Sequence, residues 1–404
     1  MPFFRKLTLE RRHNSSRFFA YCNDYGEARG VSKMANVSRR QILLGGGLAL
    51  GSGLLPGVNL LRSAYGEEIS RPDYMVRVCF NENPWGPSRV SLQAMADSFK
   101  YSNLYGGADR RAMMELMGRL NNVPADHISM GTGSGEILRT AGMLASMQDG
   151  SVVCADPTYH DLIRYAGNTG SEIIKVPVDE NFNTDLNAMY KAIRRDTKCV
   201  YLVNPNNPIP SIIEKNELRD FVLEVSKDRM VFIDEAYYEF VDNPDYGTMM
   251  GLVRDGHKNI VVSRTASKIH GMAGLRVGFG FAHPDLTKEI TTRKTGAMSV
   301  LSLNAAYAAY QNDEFQKFTL RKNKESLAII EAMHEELGHR YVKSNANFSF
   351  FETGHDIQEV YDAFLREGII VGRAFPPMTK WLRISMAKPH EMEYFVQTYK
   401  KLYG

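Results

Sequence analysis

The sequence predicts an α/β protein: a large domain with a mostly parallel sheet flanked by helices, joined to a smaller α+β domain. Three observations carry this. After residue 67, short β-branched runs alternate with helical stretches. Each run ends in polar or turn residues. The last ninety residues then change pattern.

SVVCADP, EIIKVPV, KCVYLVNP, MVFIDEAY and NIVVSR read as buried strands, short β-branched runs that each end in polar or turn residues. Between them lie helical patterns such as IIEKNELRDFVLEVS, residues 212–226. From about residue 314 a long helix leads to NFSFFET, a further helix, GIIVGRAF, WLRISMA and a final helix. The expected division is therefore a leader over 1–66, an N-terminal arm and part of the small domain over 67–107, a large domain over 108–310, and a C-terminal small domain over 311–404.

The leader has its own chemistry. Residues 1–66 hold 10 Lys/Arg against 3 Asp/Glu, although the whole chain carries a net charge of only +3. Subtraction from totals of 49 and 46 leaves 39 basic and 43 acidic residues in 67–404, a net of −4. The body thus gives no electrostatic case for nucleic-acid binding. Arg39 and Arg40 precede an apolar run, residues 42–61, that contains six glycines and Pro56; Ala64-Tyr65-Gly66 follows. That run makes a poor membrane helix, and the order of features resembles a twin-arginine export signal, with Met34 as a start just upstream. The expected location is the periplasm or beyond it by the twin-arginine machinery. Of four cysteines, none has metal-ligand spacing, and Cys154 and Cys199 fall in strand-like runs where buried free thiols are expected.

Separated motifs carry the chemistry. GTGSGEIL, residues 131–138, follows the strand-like HISM and opens a helix, so Gly133, Ser134 and Gly135 present free N–H groups and the positive helix end to an anion. DPTYHD places Tyr159 after a strand, and NPNNP contains Asn207. DEAYYEF places Asp234 at the end of VFI, with Tyr237 three residues on. SRTASKIHGMAGLRVGFGFA, residues 263–282, sets Lys268 on a tight glycine-bearing turn, with Thr265 and Ser267 before it and Arg276 eight residues after it. WLRISMA holds Arg383 between Leu382 and Ile384, and SNLYGG holds Tyr105.

In this order and spacing the motifs resemble the pyridoxal-phosphate (PLP) aminotransferases of the aspartate aminotransferase fold, class I/II, and most nearly the histidinol-phosphate aminotransferase-like group. The resemblance spans residues 75–404. It implies that Lys268 joins the cofactor aldehyde and then serves as base and acid. Arg276, Thr265, Ser267 and the 133–135 turn would hold the phosphate. Asp234 would face the pyridine nitrogen, Tyr237 and Asn207 the phenolic oxygen, and Tyr159 would stack on the ring. Tyr105 would reach the phosphate of a neighbouring subunit, making the active unit a homodimer. Arg383 would bind the substrate α-carboxylate. The implied activity is ping-pong transfer of an amino group between an amino acid or amine and a 2-oxo acid, without a metal. In histidinol-phosphate enzymes an arginine directly follows the GIIV strand; here Gly372 takes that place and Arg373 comes next. A PLP decarboxylase or lyase needs the same lysine, aspartate and cup, so it stays open, as does a PLP-binding sensor. His270, two residues past the lysine, either faces the substrate or packs.

Overall fold

The computed structural model describes residues 69–147 and 149–404; the leader and its paired arginines lie outside the described residues. Strand β1 (Val76–Arg77) comes first. Strands β2 (Ile128–Thr132), β3 (Ser151–Asp156), β4 (Ile173–Pro177), β5 (Thr197–Val203), β6 (Met230–Asp234), β7 (Ile260–Thr265) and β8 (Val277–Ala282) then form one sheet in the order β2-β8-β7-β6-β5-β3-β4. Neighbours from β4 across to β7 are parallel, and β8 runs antiparallel to both β7 and β2. Helices Asp161–Asn168, Leu186–Ala192, Lys215–Val225 and Met250–Arg254 supply the crossovers that parallel pairing requires.

Both faces of this sheet are covered, so successive residues of one strand feed different cores. Val153, Val200, Val231 and Ile233 join one buried cluster; Val152, Cys154, Cys199, Tyr201 and Phe232 join another. Burial of each large apolar side chain contributes roughly 1.5–3 kcal/mol, which rewards runs that are apolar at every position. The buried cysteines Cys79, Cys154 and Cys199 are free thiols.

Strand β8 was not among the strands expected from the sequence. Its sequence VGFGFA alternates glycine with apolar residues, and both glycines have a packing reason. A Cβ at Gly278 would stand 2.0 Å from the Ser134 backbone nitrogen, and one at Gly280 would stand 2.8 Å from Ile137 Cγ2. The missing side chains let the helix Ser134–Ser146 lie directly on the sheet.

The remaining strands are β9 (Tyr341–Val342), β10 (Phe348–Glu352), β11 (Ile369–Ile370) and β12 (Trp381–Ser385). An antiparallel sheet has the order β12-β10-β9, and β1 pairs in parallel with β11. Val76 and Val78 are buried with Ile330, Phe351, Phe364 and Phe395, so the N-terminal arm packs in the C-terminal core. GIIVGRAF supplies only the two residues of β11. At Gly372 a Cβ would lie 2.3 Å from the Arg383 carbonyl oxygen, so glycine permits the close approach of this segment to β12. Among the described residues no helix is long and apolar enough to cross a membrane, and no group of His, Cys, Asp or Glu has metal-binding geometry.

Candidate active site

Strands β3, β5, β6 and β7 end at Asp156, Val203, Asp234 and Thr265, and the functional side chains gather beyond these carboxyl ends. The first group is an anion cup. Gly133 caps the helix Ser134–Ser146 at φ 78° with no side-chain capping bond, leaving first-turn N–H groups of that helix free for a ligand. A Cβ on Gly133 would fall 2.1 Å from Nη2 of Arg276, so only glycine lets the guanidinium lie over the turn. Arg276 itself is left-handed at φ 56°. Its exposed guanidinium donates to the Ala273 carbonyl at 3.0 Å and reaches the Thr132 carbonyl and Ser267 Oγ at 3.4 Å. Thr265 Oγ1 donates to Ser267 Oγ at 2.9 Å, and Ser267 N–H donates back to Thr265 Oγ1. The two hydroxyls therefore stand together beside Arg276.

The second group is a hydrogen-bonded chain. Lys268, half-buried, donates through Nζ to the carbonyls of Phe80 and Asn81, each at 3.2 Å. Asn81 Nδ2 donates to Tyr237 Oη at 2.9 Å, and Asn207 Nδ2 donates to the same oxygen at 3.3 Å. Asn207 Oδ1 in turn accepts from Arg383 Nη1 at 2.7 Å, while Arg383 Nη2 donates to the Cys79 carbonyl at 2.6 Å. Arg383 Nε is buried without a protein partner. Desolvation, then the Arg383 charge, lowers the Lys268 pKa to about 7. Burial likewise lowers Arg383 to about 10 and raises Tyr237 to about 12.

Asp234, 2% exposed, closes β6 and accepts from Ser263 Oγ at 2.8 Å. Burial pushes its carboxyl up to about 6 even against the Ser263 bond and the Lys268 charge. Burial raises the hydroxyl pKa of half-buried Tyr159, and the charges of Asp161 and then Asp234 push it the same way.

Most of the expected residues thus meet in one region. Tyr105 does not: it is fully exposed on this chain. His270 packs; it is buried, its ring lies 4.1 Å from that of Tyr310, and burial lowers its pKa to about 3. Two residues were not singled out from the sequence. Asn81 lies in FNENPWGP, where an asparagine reads as turn chemistry. Arg264 stacks over Tyr238 at 3.8 Å and pairs with Glu235 at 2.8 Å, a buried ion pair that ties β7 to the loop after β6. The pairing of this arginine with the glutamate of DEAY is invisible until the strands are adjacent.

The donors fit PLP. Free helix N–H groups, Arg276, Thr265 and Ser267 suit a phosphate, and the glycine at 133 keeps that cradle open. The unpartnered Arg383 Nε suits a carboxylate.

The chain matches the family model for aminotransferase class I and II over residues 74–398. It is 32% identical over 331 residues to the histidinol-phosphate aminotransferase of Moorella thermoacetica, covering 81% of this chain and 85% of that one. A solved structure from Erwinia carotovora atroseptica matches with a TM-score of 0.79 and 29% identity, over 81% of this chain and 96% of that one. The histidinol-phosphate aminotransferase of Sinorhizobium meliloti, solved in complex with pyridoxal-5'-phosphate, matches with a TM-score of 0.74 over 87% of this chain and 99% of that one; at 21% identity this is a likeness of fold.

Proposed function

The chain belongs to the class I and II aminotransferases, and from that premise we propose how its residues divide the work of transamination. It is a PLP-dependent aminotransferase acting on amino acid and 2-oxo acid substrates. The observation that carries the assignment of roles is the continuous chain from Lys268 through Asn81, Tyr237 and Asn207 to Arg383, beside an anion cup built on Arg276.

PLP, when bound, supplies an electron sink for the carbanion left at the substrate Cα. Arg276, Thr265, Ser267 and the N–H groups of residues 133–135 hold its phosphate. Tyr159 would pack against the ring. Asp234 would set its buried carboxylate against the pyridine nitrogen and favour a proton there. Tyr237 and Asn207 serve the phenolic oxygen. Arg383 binds the α-carboxylate with the edge that carries Nε, its other nitrogens being fixed by Asn207 and Cys79. Lys268, with a pKa near neutrality, would take up and give back at Nζ the proton that leaves the substrate Cα. Arg373 is exposed and stacks 4.4 Å from the Phe375 ring, which also lies 4.9 Å from the Arg383 guanidinium. It offers a second cation to the far end of the substrate.

Three finer readings belong here. The site residues work in a homodimer, with Tyr105 serving the neighbouring subunit; exposed apolar side chains such as Phe80, Val90, Phe99, Tyr101 and Leu104 cluster along the same N-terminal stretch and support this. Residues 67–107 complete the small domain of residues 311–404. Residues 1–66 direct export by the twin-arginine route, which carries folded proteins, so cofactor is loaded before transport. Replacing Arg39 and Arg40 with lysine is expected to keep the protein in the cytoplasm; unchanged export removes that reading.

The activity is tested with amino donors supplied without an acceptor. One equivalent of 2-oxo acid per site, with no carbon dioxide, is expected. Carbon dioxide released in place of oxo acid contradicts transamination and leaves a decarboxylase.

A further inference from the structure

Asn81 holds more of the site together than any motif residue around it. It is wholly buried, its backbone is left-handed at φ 54°, and it sits in the arm before the first helix rather than on the sheet. Its N–H donates to Ser385 Oγ at 2.6 Å, and its Oδ1 accepts from the same hydroxyl at 3.0 Å. Its carbonyl accepts from Asn347 Nδ2 at 3.0 Å and from Lys268 Nζ at 3.2 Å. That leaves Nδ2, which donates to Tyr237 Oη at 2.9 Å.

The Ser385 contacts decide which way the amide faces. Ser385 has a single hydroxyl proton. Its oxygen takes the Asn81 N–H and its proton goes to Oδ1, so the NH2 group is turned toward Tyr237. A phenol oxygen has one proton and two acceptor sites. In Tyr237 those sites meet Asn81 Nδ2 and Asn207 Nδ2 at 2.9 and 3.3 Å. With both acceptor sites engaged, the Tyr237 proton has to point elsewhere. In the intact protein the Asn81 side chain is wholly buried, so its amide meets Tyr237 without competition from solvent.

We propose that Asn81, oriented by Ser385, is a positioning residue that fixes Tyr237 as a one-way hydrogen-bond donor into the cofactor site. Its side chain acts through Tyr237; its backbone carbonyl, which Asn81→Gly keeps, is the part that meets Lys268 Nζ. The proposal rests on the role given to Tyr237 above. It adds that the donor direction is set from outside the sheet, by the segment that joins the N-terminal arm to β12.

A donor on the cofactor's phenolic oxygen draws off negative charge, so a proton shared with that oxygen is held less tightly. Losing the donor raises the pH midpoint at which the visible band of the cofactor-loaded, substrate-free protein titrates. Asn81→Gly keeps the left-handed backbone, which glycine adopts freely, and deletes only the amide. Ser385→Ala leaves the amide but removes its anchor, and so tests the same idea by a second variant. Both are compared with Tyr237→Phe and with the corresponding double variants. We expect Tyr237→Phe to raise the midpoint, and Asn81→Gly to raise it by about 0.5–1 unit. Ser385→Ala shifts it in the same direction by less, and neither change moves the midpoint further once Tyr237 is phenylalanine. The proposal is overturned if Asn81→Gly leaves the midpoint in place while Tyr237→Phe moves it, or if the Asn81→Gly shift persists undiminished in the Tyr237→Phe background. A midpoint untouched by Tyr237→Phe removes the role of Tyr237 itself, and the proposal falls with it.

Discussion

Two buried ionisable side chains show how chemistry and stability pull apart at single residues. Asp234 has a folded pKa of about 6 against an ordinary 3.8, with burial as the main cause. A raised carboxyl pKa means that the fold disfavours the charged form. Below pH 3.8 both states are protonated and there is no penalty; it grows between 3.8 and about 6 and is complete above that. Asp234→Asn is therefore expected to raise the melting temperature of the cofactor-free protein by about a few °C at pH 7.5 and to do nothing near pH 3.5. Equal melting curves at both pH values would count against a desolvated carboxylate. Arg383 is a second case, since lysine keeps its charge but loses the planar fork. Arg383→Lys is expected to lower kcat/KM for carboxylate substrates roughly 30- to 150-fold, the equivalent of about 2–3 kcal/mol in one charged hydrogen bond. A loss below threefold would place the α-carboxylate elsewhere. At this scale the sequence was readable where a charged residue stands at or beside an apolar strand, as with Asp234 at the end of β6, Lys268 on the turn after β7 and Arg383 within β12. Asn81 was not readable, because its meaning depends on Ser385 and Tyr237, which lie 304 and 156 positions away.

Strands and helices were legible in proportion to how plainly their burial shows in hydrophobic pattern. The inner parallel strands β3, β5, β6 and β7, buried along nearly their whole length, read as apolar runs, whereas β4 at the sheet edge buries only Val176. β8 did not, since close packing of a helix replaced side-chain bulk with glycine. GIIVGRAF was misleading in the other direction: Ile369, Ile370 and Val371 suggested a longer strand, and Gly372 instead carries the chain past Arg383. The glycine argument can be checked directly. Gly278→Ala places a methyl group 2.0 Å from the Ser134 backbone nitrogen, so the backbone itself must shift. It should destabilise by about 1–3 kcal/mol and, by lifting the helix start off the sheet, weaken cofactor retention tenfold or more. Gly274→Ala, with nothing within 4 Å of the new methyl, is the control and should leave both unchanged. Equal behaviour of the two variants in melting and in cofactor dissociation would refute the account of β8.

For the whole molecule, the question is which parts of the site come from one chain. Lys268, Asp234, Tyr237, Asn207, Arg276 and Arg383 meet within a single protomer, whereas Tyr105 stands alone on an exposed apolar stretch. If Tyr105 serves a neighbouring subunit, mixing Lys268→Ala with Tyr105→Ala protein creates one intact site per hybrid dimer. Activity above the sum of the two separate preparations is expected, and strict additivity would return Tyr105 to a surface role. The account as a whole turns on Lys268 as the residue that holds the cofactor. Borohydride reduction of the PLP-loaded protein, followed by peptide mass mapping, reads this most directly. A cofactor adduct on Lys268, absent together with the visible band in Lys268→Ala, is the result predicted; an adduct on another lysine, or an unchanged band in that variant, would contradict it.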